Sequence, residues 1–262
     1  MRKVIIDDLP YKKISLGVCT KCNTEKFHCI NDDGSIDFIT LCECEIAKEN
    51  KERSKKLTNS IYGRSKIEQN KTLCGLRKRD IEEINTIKYI TNKDNIEAYN
   101  ELIKYGNDFS DKTSMGYYIC GTTGTGKSLL VKRLVTMILN KGYSVLFITS
   151  ADLIANIKKR MSEPEIRDLK RYAEYVDLLV VDDLGVERGT EWEIGELFEI
   201  FNHRWTMSKP IIFTSNLSLN EIKKKYDSYG RIYSRILGST NKVFVINGID
   251  NRIEHFKNRA KK

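Results

Sequence analysis

The chain has 262 residues, 40 % of them hydrophobic and 31 % charged, which is enough to bury the core of one large domain or of a small domain joined to a medium one. No apolar run approaches the roughly 18 to 20 residues that cross a bilayer, so membrane-spanning helices are excluded and no membrane partner is expected. The net charge of +9 is concentrated at one end, where residues 221–262 hold 11 basic and 4 acidic side chains; this suits a phosphate-rich partner and equally suits a solvated tail.

The chain starts Met-Arg-Lys-Val-Ile-Ile-Asp-Asp-Leu-Pro, placing two acids where a signal peptide needs its apolar stretch, and a cytoplasmic location is expected. Five of the seven cysteines (Cys19, Cys22, Cys29, Cys42 and Cys44) then fall within 26 residues. In a reducing compartment such density points to metal ligation rather than cross-linking. Cys19-x-x-Cys22 and Cys42-x-Cys44 form the paired arrangement that four thiolates need to reach one tetrahedral Zn²⁺. The second pair is one residue tighter than the usual knuckle, and His28 and Cys29 in the intervening loop remain alternative ligands. A module of about 45 residues has too little apolar mass to fold without such a staple. A charged, helix-prone segment follows over 45–56, so residues 1–60 are expected to form a zinc-binding module. Residues 61–110 carry apolar positions at helical spacing (Ile96, Tyr99, Leu102, Ile103) and are expected to form a helical linker.

Beyond Gly116 the pattern changes to short β-rich runs separated by amphipathic helices. Strands are predicted at 117–120, 145–148, 178–181, 211–214 and 243–246, and helices at 128–141, 151–161, 165–175, 191–207 and 219–226. The fold class is α/β, with a five-stranded parallel sheet flanked by helices over 111–262.

The run Gly121, Thr122, Thr123, Gly124, Thr125, Gly126, Lys127, Ser128 fits the G-x-x-x-x-G-K-[ST] loop, following a strand and opening a helix. Its backbone N–H groups surround phosphate oxygens, Lys127 reaches the β- and γ-phosphates, and Ser128 offers a hydroxyl to Mg²⁺. The strand at 178–181 delivers Asp182 to hold Mg²⁺ and Asp183 to orient the attacking water. Asp183 is one methylene shorter than the glutamate common at that place. The strand at 211–214 ends near Asn216, whose amide suits the γ-phosphate or that water. ATP, Mg²⁺ and Zn²⁺ are therefore the expected cofactors.

These residues resemble the AAA+ ATPases, and among them the bacterial helicase loaders of the DnaC and DnaI type with their IstB-like transposition relatives. The resemblance rests on the phosphate loop, the Asp-Asp-Leu-Gly-Val-Glu run ending at Glu187, Thr-Ser-Asn216, the run from Gly230 to Ile236, and Asp250-Asn-Arg252. It implies a compact core with little or no lid, with Arg231 and Arg235 on an arginine-finger helix. Arg235 is taken as the finger and Arg231 as its support, so self-association through the ATP sites is implied. It also implies single-stranded DNA touched by Lys158, Lys159, Arg160, Thr190 and Trp192. Lysine or arginine neutralising phosphate and an aromatic stacking on a base is the chemistry of sequence-tolerant binding, although Trp192 equally fits half-buried core and the basic triad a solvated helix face. In the DnaI-like loaders an N-terminal zinc module docks on the replicative helicase, and residues 1–60 take that role by analogy. The expected function is an ATP-hydrolysing loader that places the replicative DNA helicase on single-stranded DNA during replication initiation. The alternatives are an IstB-like helper of transposition and a zinc-dependent DNA-binding adaptor whose nucleotide site only switches conformation.

Overall fold

A computed structural model describes residues 12–30, 36–39, 42, 44, 48, 52, 61–84, 86, 89–226, 230–248 and 250. The chain divides into two compact units, Met1–Ser60 and Ile61–Lys262.

The first unit contains a three-stranded antiparallel sheet in the order β1 (Lys12–Val18), β2 (Glu25–Ile30), β3 (Ile36–Ile39). Lys12 pairs with Ile30 and Val18 with Glu25, and the register slips between Ser15 and Gly17. The turn joining β1 to β2 is closed by Cys19 N–H donating to Thr24 O and Asn23 N–H donating to Cys19 O, both at 2.9 Å. Asn23 adopts the left-handed region with φ 56°, which a short polar side chain tolerates. No sheet was expected here, although Ile14, Leu16 and Val18 of β1 alternate as in a strand; their side chains remain exposed. Of the helix-prone segment 45–56, only residues 48 and 52 are among those described.

The second unit is built on five parallel strands: β4 (Gly116–Cys120), β5 (Val145–Thr149), β6 (Leu178–Asp182), β7 (Ile211–Thr214) and β8 (Thr240–Val245). They lie in the order β5-β6-β7-β4-β8. Helices α1 (Ile61–Leu73), α2 (Lys78–Glu83) and α3 (Ile96–Asp108) precede β4, and α4 (Lys127–Asn140) follows it. Helices α5 (Ser150–Ser162) and α6 (Leu169–Tyr175) join β5 to β6, α7 (Glu191–Thr206) joins β6 to β7, and α8 (Leu219–Tyr226) and α9 (Arg231–Gly238) lead to β8. The inner strands are apolar throughout because both faces of the sheet are covered, as parallel sheets require. One apolar cluster joins Tyr117, Ile119 and Phe147 of the sheet to Leu130 and Leu134 of α4 and to Ala98 and Leu102 of α3. The other sets Tyr118, Leu146, Leu153, Phe201 and Phe213 among helices from α5 to α9.

All five expected strands are present. β8 begins three residues before the expected 243, because polar Thr240, Asn241 and Lys242 run along β4 at the edge of the sheet, where one side meets solvent. α6 begins at Leu169 rather than 165, because Asp168 caps it by accepting from Arg171 N–H at 2.9 Å. Residues 61–110, expected as a linker, supply three helices of the second unit: Asn70 Nδ2 donates to Gly142 O at 3.1 Å, and Phe147 N–H donates to Cys74 O at 2.7 Å. Among the described residues no helix is long and apolar enough to cross a membrane.

Arg204, in the last turn of α7, is fully buried. Its Nη1 donates to the carbonyls of Ala173 and Val176 at 2.7 and 2.9 Å, and its Nη2 to that of Pro210 at 2.8 Å. It thereby satisfies chain ends just before β6 and β7 that would otherwise carry orphan acceptors. Burial lowers its pKa to about 9, so it remains a cation at neutral pH.

Candidate nucleotide site and cysteine centre

Because the strands are parallel and β4 lies between β7 and β8, the loops leaving β4, β6 and β7 emerge at one edge of the sheet. The loop after β4 bends through Gly121, where φ is 131° and any Cβ would meet Ile246 O at 2.1 Å, so only glycine fits this close approach. Gly126 opens α4 with φ 92°, placing the free amides of the first helical turn at the mouth of the loop.

Lys127 is only 5 % exposed, and its ammonium donates to Gly121 O at 2.9 Å, Thr122 O at 2.8 Å and Asn216 Oδ1 at 2.9 Å. The two loops are thus joined at Lys127, a cation that a phosphate bound in the loop would meet. Asp182, at the end of β6, is 6 % exposed and accepts from Thr214 Oγ1. Burial raises its pKa above the usual carboxylate range, against the opposing effect of hydrogen bonds from the Thr214 and Ser128 hydroxyls. Ser128 and Asp182 therefore stand together, an oxygen pair that fits a hard divalent cation such as Mg²⁺.

Asp183 sits in the left-handed region with φ 51°. Its N–H donates to Thr214 Oγ1 at 3.0 Å and its carbonyl lies 3.1 Å from Ser150 Oγ, while the residue stays partly exposed. Thr214 contacts both carboxylate residues through one hydroxyl, and no role was expected of it. The available signal is a hydroxyl residue ending the strand that neighbours the acidic one. The segment after β8 also lies on the loop: Thr122 Oγ1 donates to Gly248 O at 3.2 Å, and Gly248 N–H returns a bond to Thr122 Oγ1 at 3.1 Å. Tyr89, stacked on Tyr99 at 5.5 Å between ring centroids, lies beside Gly126.

Other expected site residues lie apart from this group. Arg231 is exposed at the start of α9, whereas Arg235 is engaged with α7: its Nε donates to Asn202 Oδ1 at 2.8 Å and its guanidinium lies 4.3 Å from the Trp205 ring centroid. On α5, Lys158 and Lys159 are exposed and Lys159 lies 3.6 Å from Glu163. Arg160 turns back to donate to Pro164 O at 3.0 Å and approaches Asp168 at 3.4 Å. Thr190 caps α7 in a reciprocal box with Glu193, which commits its hydroxyl to the helix. Trp192, in the same turn, is 37 % exposed. Arg252 lies outside the described residues.

In the first unit the sulfurs of Cys19, Cys22, Cys42 and Cys44 all lie within 4.8 Å of one another. Four thiolates at about 2.3 Å from a shared Zn²⁺ have edges of this order, so the donor set fits the metal. Neighbouring thiols push Cys44 up to about 12, while Cys22, beside the Thr24 hydroxyl, is lowered to about 6. Four crowded thiols cannot all ionise without a cation among them. The side chains of His28 and Cys29 are outside those described.

The sequence profile described as IstB-like ATP binding protein matches residues 106–245. The chain belongs to this family. ATP binding is the property the family description names, and the matched segment contains the phosphate loop, both aspartates and Asn216. The similarity extends to the replicative helicase loader DnaI of Bacillus subtilis (strain 168), 23 % identical over 198 residues, 73 % of this chain and 58 % of that protein. The replicative helicase loader DnaC of Escherichia coli (strain K12) is 29 % identical over 131 residues, 49 % of this chain and 53 % of that protein. The chain thus spans little more than half the length of either loader. Among solved structures, a crystal structure of DnaI shares the fold with a TM-score of 0.58 at 20 % identity, covering 70 % of this chain and all of that one.

Proposed function

We propose that this IstB-like protein hydrolyses ATP and uses the cycle to load a replicative DNA helicase onto single-stranded DNA. The observation that carries the loader reading is the reach of the DnaI likeness: its 198 residues exceed the 140 residues from 106 to 245 that mark the family, so it extends beyond the shared ATP-binding segment.

In this reading Lys127 offers its charge to the β- and γ-phosphates, and the amides of 121–128 surround them. Ser128 and Asp182 hold Mg²⁺, which supplies charge to the phosphates when bound. Asp183 orients the attacking water, and Asn216, already bound to Lys127, fixes the other side of the reacting group. Asp183 presents its short carboxylate from a fixed left-handed backbone, which favours orientation over reach. An arginine of α9 supplies transition-state charge to a neighbouring copy. Arg235, which the sequence motif favours as the finger, meets Asn202 and Trp205 of its own chain at rest, and Arg231 is its support. Cys19, Cys22, Cys42 and Cys44 hold Zn²⁺ and shape a helicase-docking surface, and Lys158 and Trp192 meet DNA.

The test is helicase loading onto circular single-stranded DNA, read as helicase retained after gel filtration. The protein with ATP and Mg²⁺ should raise retention, and Lys127→Ala should remain folded and abolish both loading and turnover. Binding of duplex DNA and a transposase, with no helicase association, would instead establish the transposition-helper reading.

A further inference from the structure

Glu187 closes the acidic run after β6, yet it does not face the nucleotide site. It is 5 % exposed, and a carboxylate removed from water requires strong partners. It has them from three elements. The Ser150 hydroxyl at the start of α5 and the Tyr226 hydroxyl at the end of α8 both donate to it, and Gly185 N–H adds a bond at 3.3 Å. The backbone carbonyl of Glu187 accepts from Lys225 Nζ at 2.8 Å. Ser150 Oγ also stands 3.1 Å from Asp183 O, so a single hydroxyl lies between Glu187 and the residue placed at the attacking water. Tyr226 stands four residues before Gly230, which opens the helix bearing Arg231 and Arg235.

We propose that Glu187 is a positioning residue for ATP hydrolysis, tying the loop of Asp183 to α5 and to the end of α8 so that water-orienting carboxylate and arginine helix are set together. With its carboxylate committed to Ser150 and Tyr226, Glu187 acts through Asp183 and not on the reacting atoms. The inference rests on the ATPase reading and deepens it.

The experiment compares Glu187→Gln, Ser150→Ala and Tyr226→Phe in the full chain, measuring nucleotide affinity, kcat and melting temperature separately. kcat should fall about 10- to 100-fold, as displacement of a reacting group predicts, with nucleotide Kd within about twofold of the unaltered protein. Combining Glu187→Gln with Tyr226→Phe should cost little more than the worse single change, because both break one network. A merely structural role would lower the melting temperature and leave kcat per bound nucleotide unchanged, and that result would overturn the inference. Should Glu187→Gln fail to fold, the two hydroxyl deletions decide alone. Absence of turnover in the unaltered chain would sink the ATPase reading itself, whereas turnover that all three variants retain sinks only the role of Glu187.

Discussion

In residues 61–262, Tyr118, Leu130, Phe201 and Phe213 lose all their surface to two apolar clusters on either side of a parallel sheet. In residues 1–60 the alternating side chains of β1 stay about half exposed, Ile14 at 48 %, Leu16 at 46 % and Val18 at 53 %. Each fully buried large apolar side chain contributes about 1.5–3 kcal/mol, so the second unit can stand on its packing. The described part of the first has cross-strand hydrogen bonds and four clustered thiols instead. The lesson is that one chain uses two kinds of cohesion, one resting on apolar burial and one on cross-strand hydrogen bonds and a cluster of four thiols whose spacing fits a metal ion.

The strongest way to break that comparison is to remove the metal. Chelation is expected to release one Zn²⁺ per chain and to unfold residues 1–60, while ATP turnover by the remainder stays within about twofold. Elemental analysis with hydrogen exchange checks this, and freshly purified reduced protein without zinc would sink the idea. The converse perturbation is Arg204→Ala, which strands the carbonyls of Ala173, Val176 and Pro210. It should cost the second unit about 3–4 kcal/mol in denaturant melts and leave the zinc content unchanged.

A third perturbation tests whether the ATP-binding unit works alone. Arg235→Ala and Lys127→Ala should each be inactive, and mixing them should restore part of the activity through interfaces joining an intact loop to an intact arginine. Mixing Arg231→Ala with Lys127→Ala tests the other arginine in the same way. No recovery from either mixture would mean that no arginine acts between copies.

The smallest effect concerns Asp182. Its folded pKa lies above the ordinary 3.8 because of burial, so ionising it costs the folded state relative to the unfolded one. Without nucleotide, Asp182→Asn should raise the melting temperature at pH 7. That gain should fade as pH falls from the folded pKa towards 3.8, since below both values the carboxyl is neutral in either state. Thermal melts from pH 3 to 8 measure it, and an unchanged or lowered melting temperature at pH 7 would refute it.

What the sequence discloses follows from how local the signal is. Strands β4 to β7 are legible because burial on both faces demands unbroken apolar runs, and the phosphate loop is legible because its chemistry is contiguous. The start of β8 is obscured by Thr240, Asn241 and Lys242, polar residues permitted at an edge. In the first unit the alternation of Ile14, Leu16 and Val18 marks one face of β1, but it spans only five residues beside a dense cysteine pattern that points to a metal module instead. Thr214, Glu187 and Arg204 each have a partner some 28 to 39 positions away, and no periodicity in the chain encodes such pairings. The commitment of Arg235 to Asn202 and Trp205 is of the same kind, being a product of how α9 packs on α7.

The knot around Arg204 secures the ends at which β6 and β7 begin, while Asp182 and Thr214 stand where those strands finish. Strands of four or five residues rising about 3.3 Å each keep the two edges more than 10 Å apart. A protein engineer seeking a hardier version of this ATP-binding protein therefore has a place to work. Substitutions around Ala173, Val176 and Pro210 can change how much heat the sheet withstands, with the width of the sheet insulating the phosphate-binding edge from the alteration.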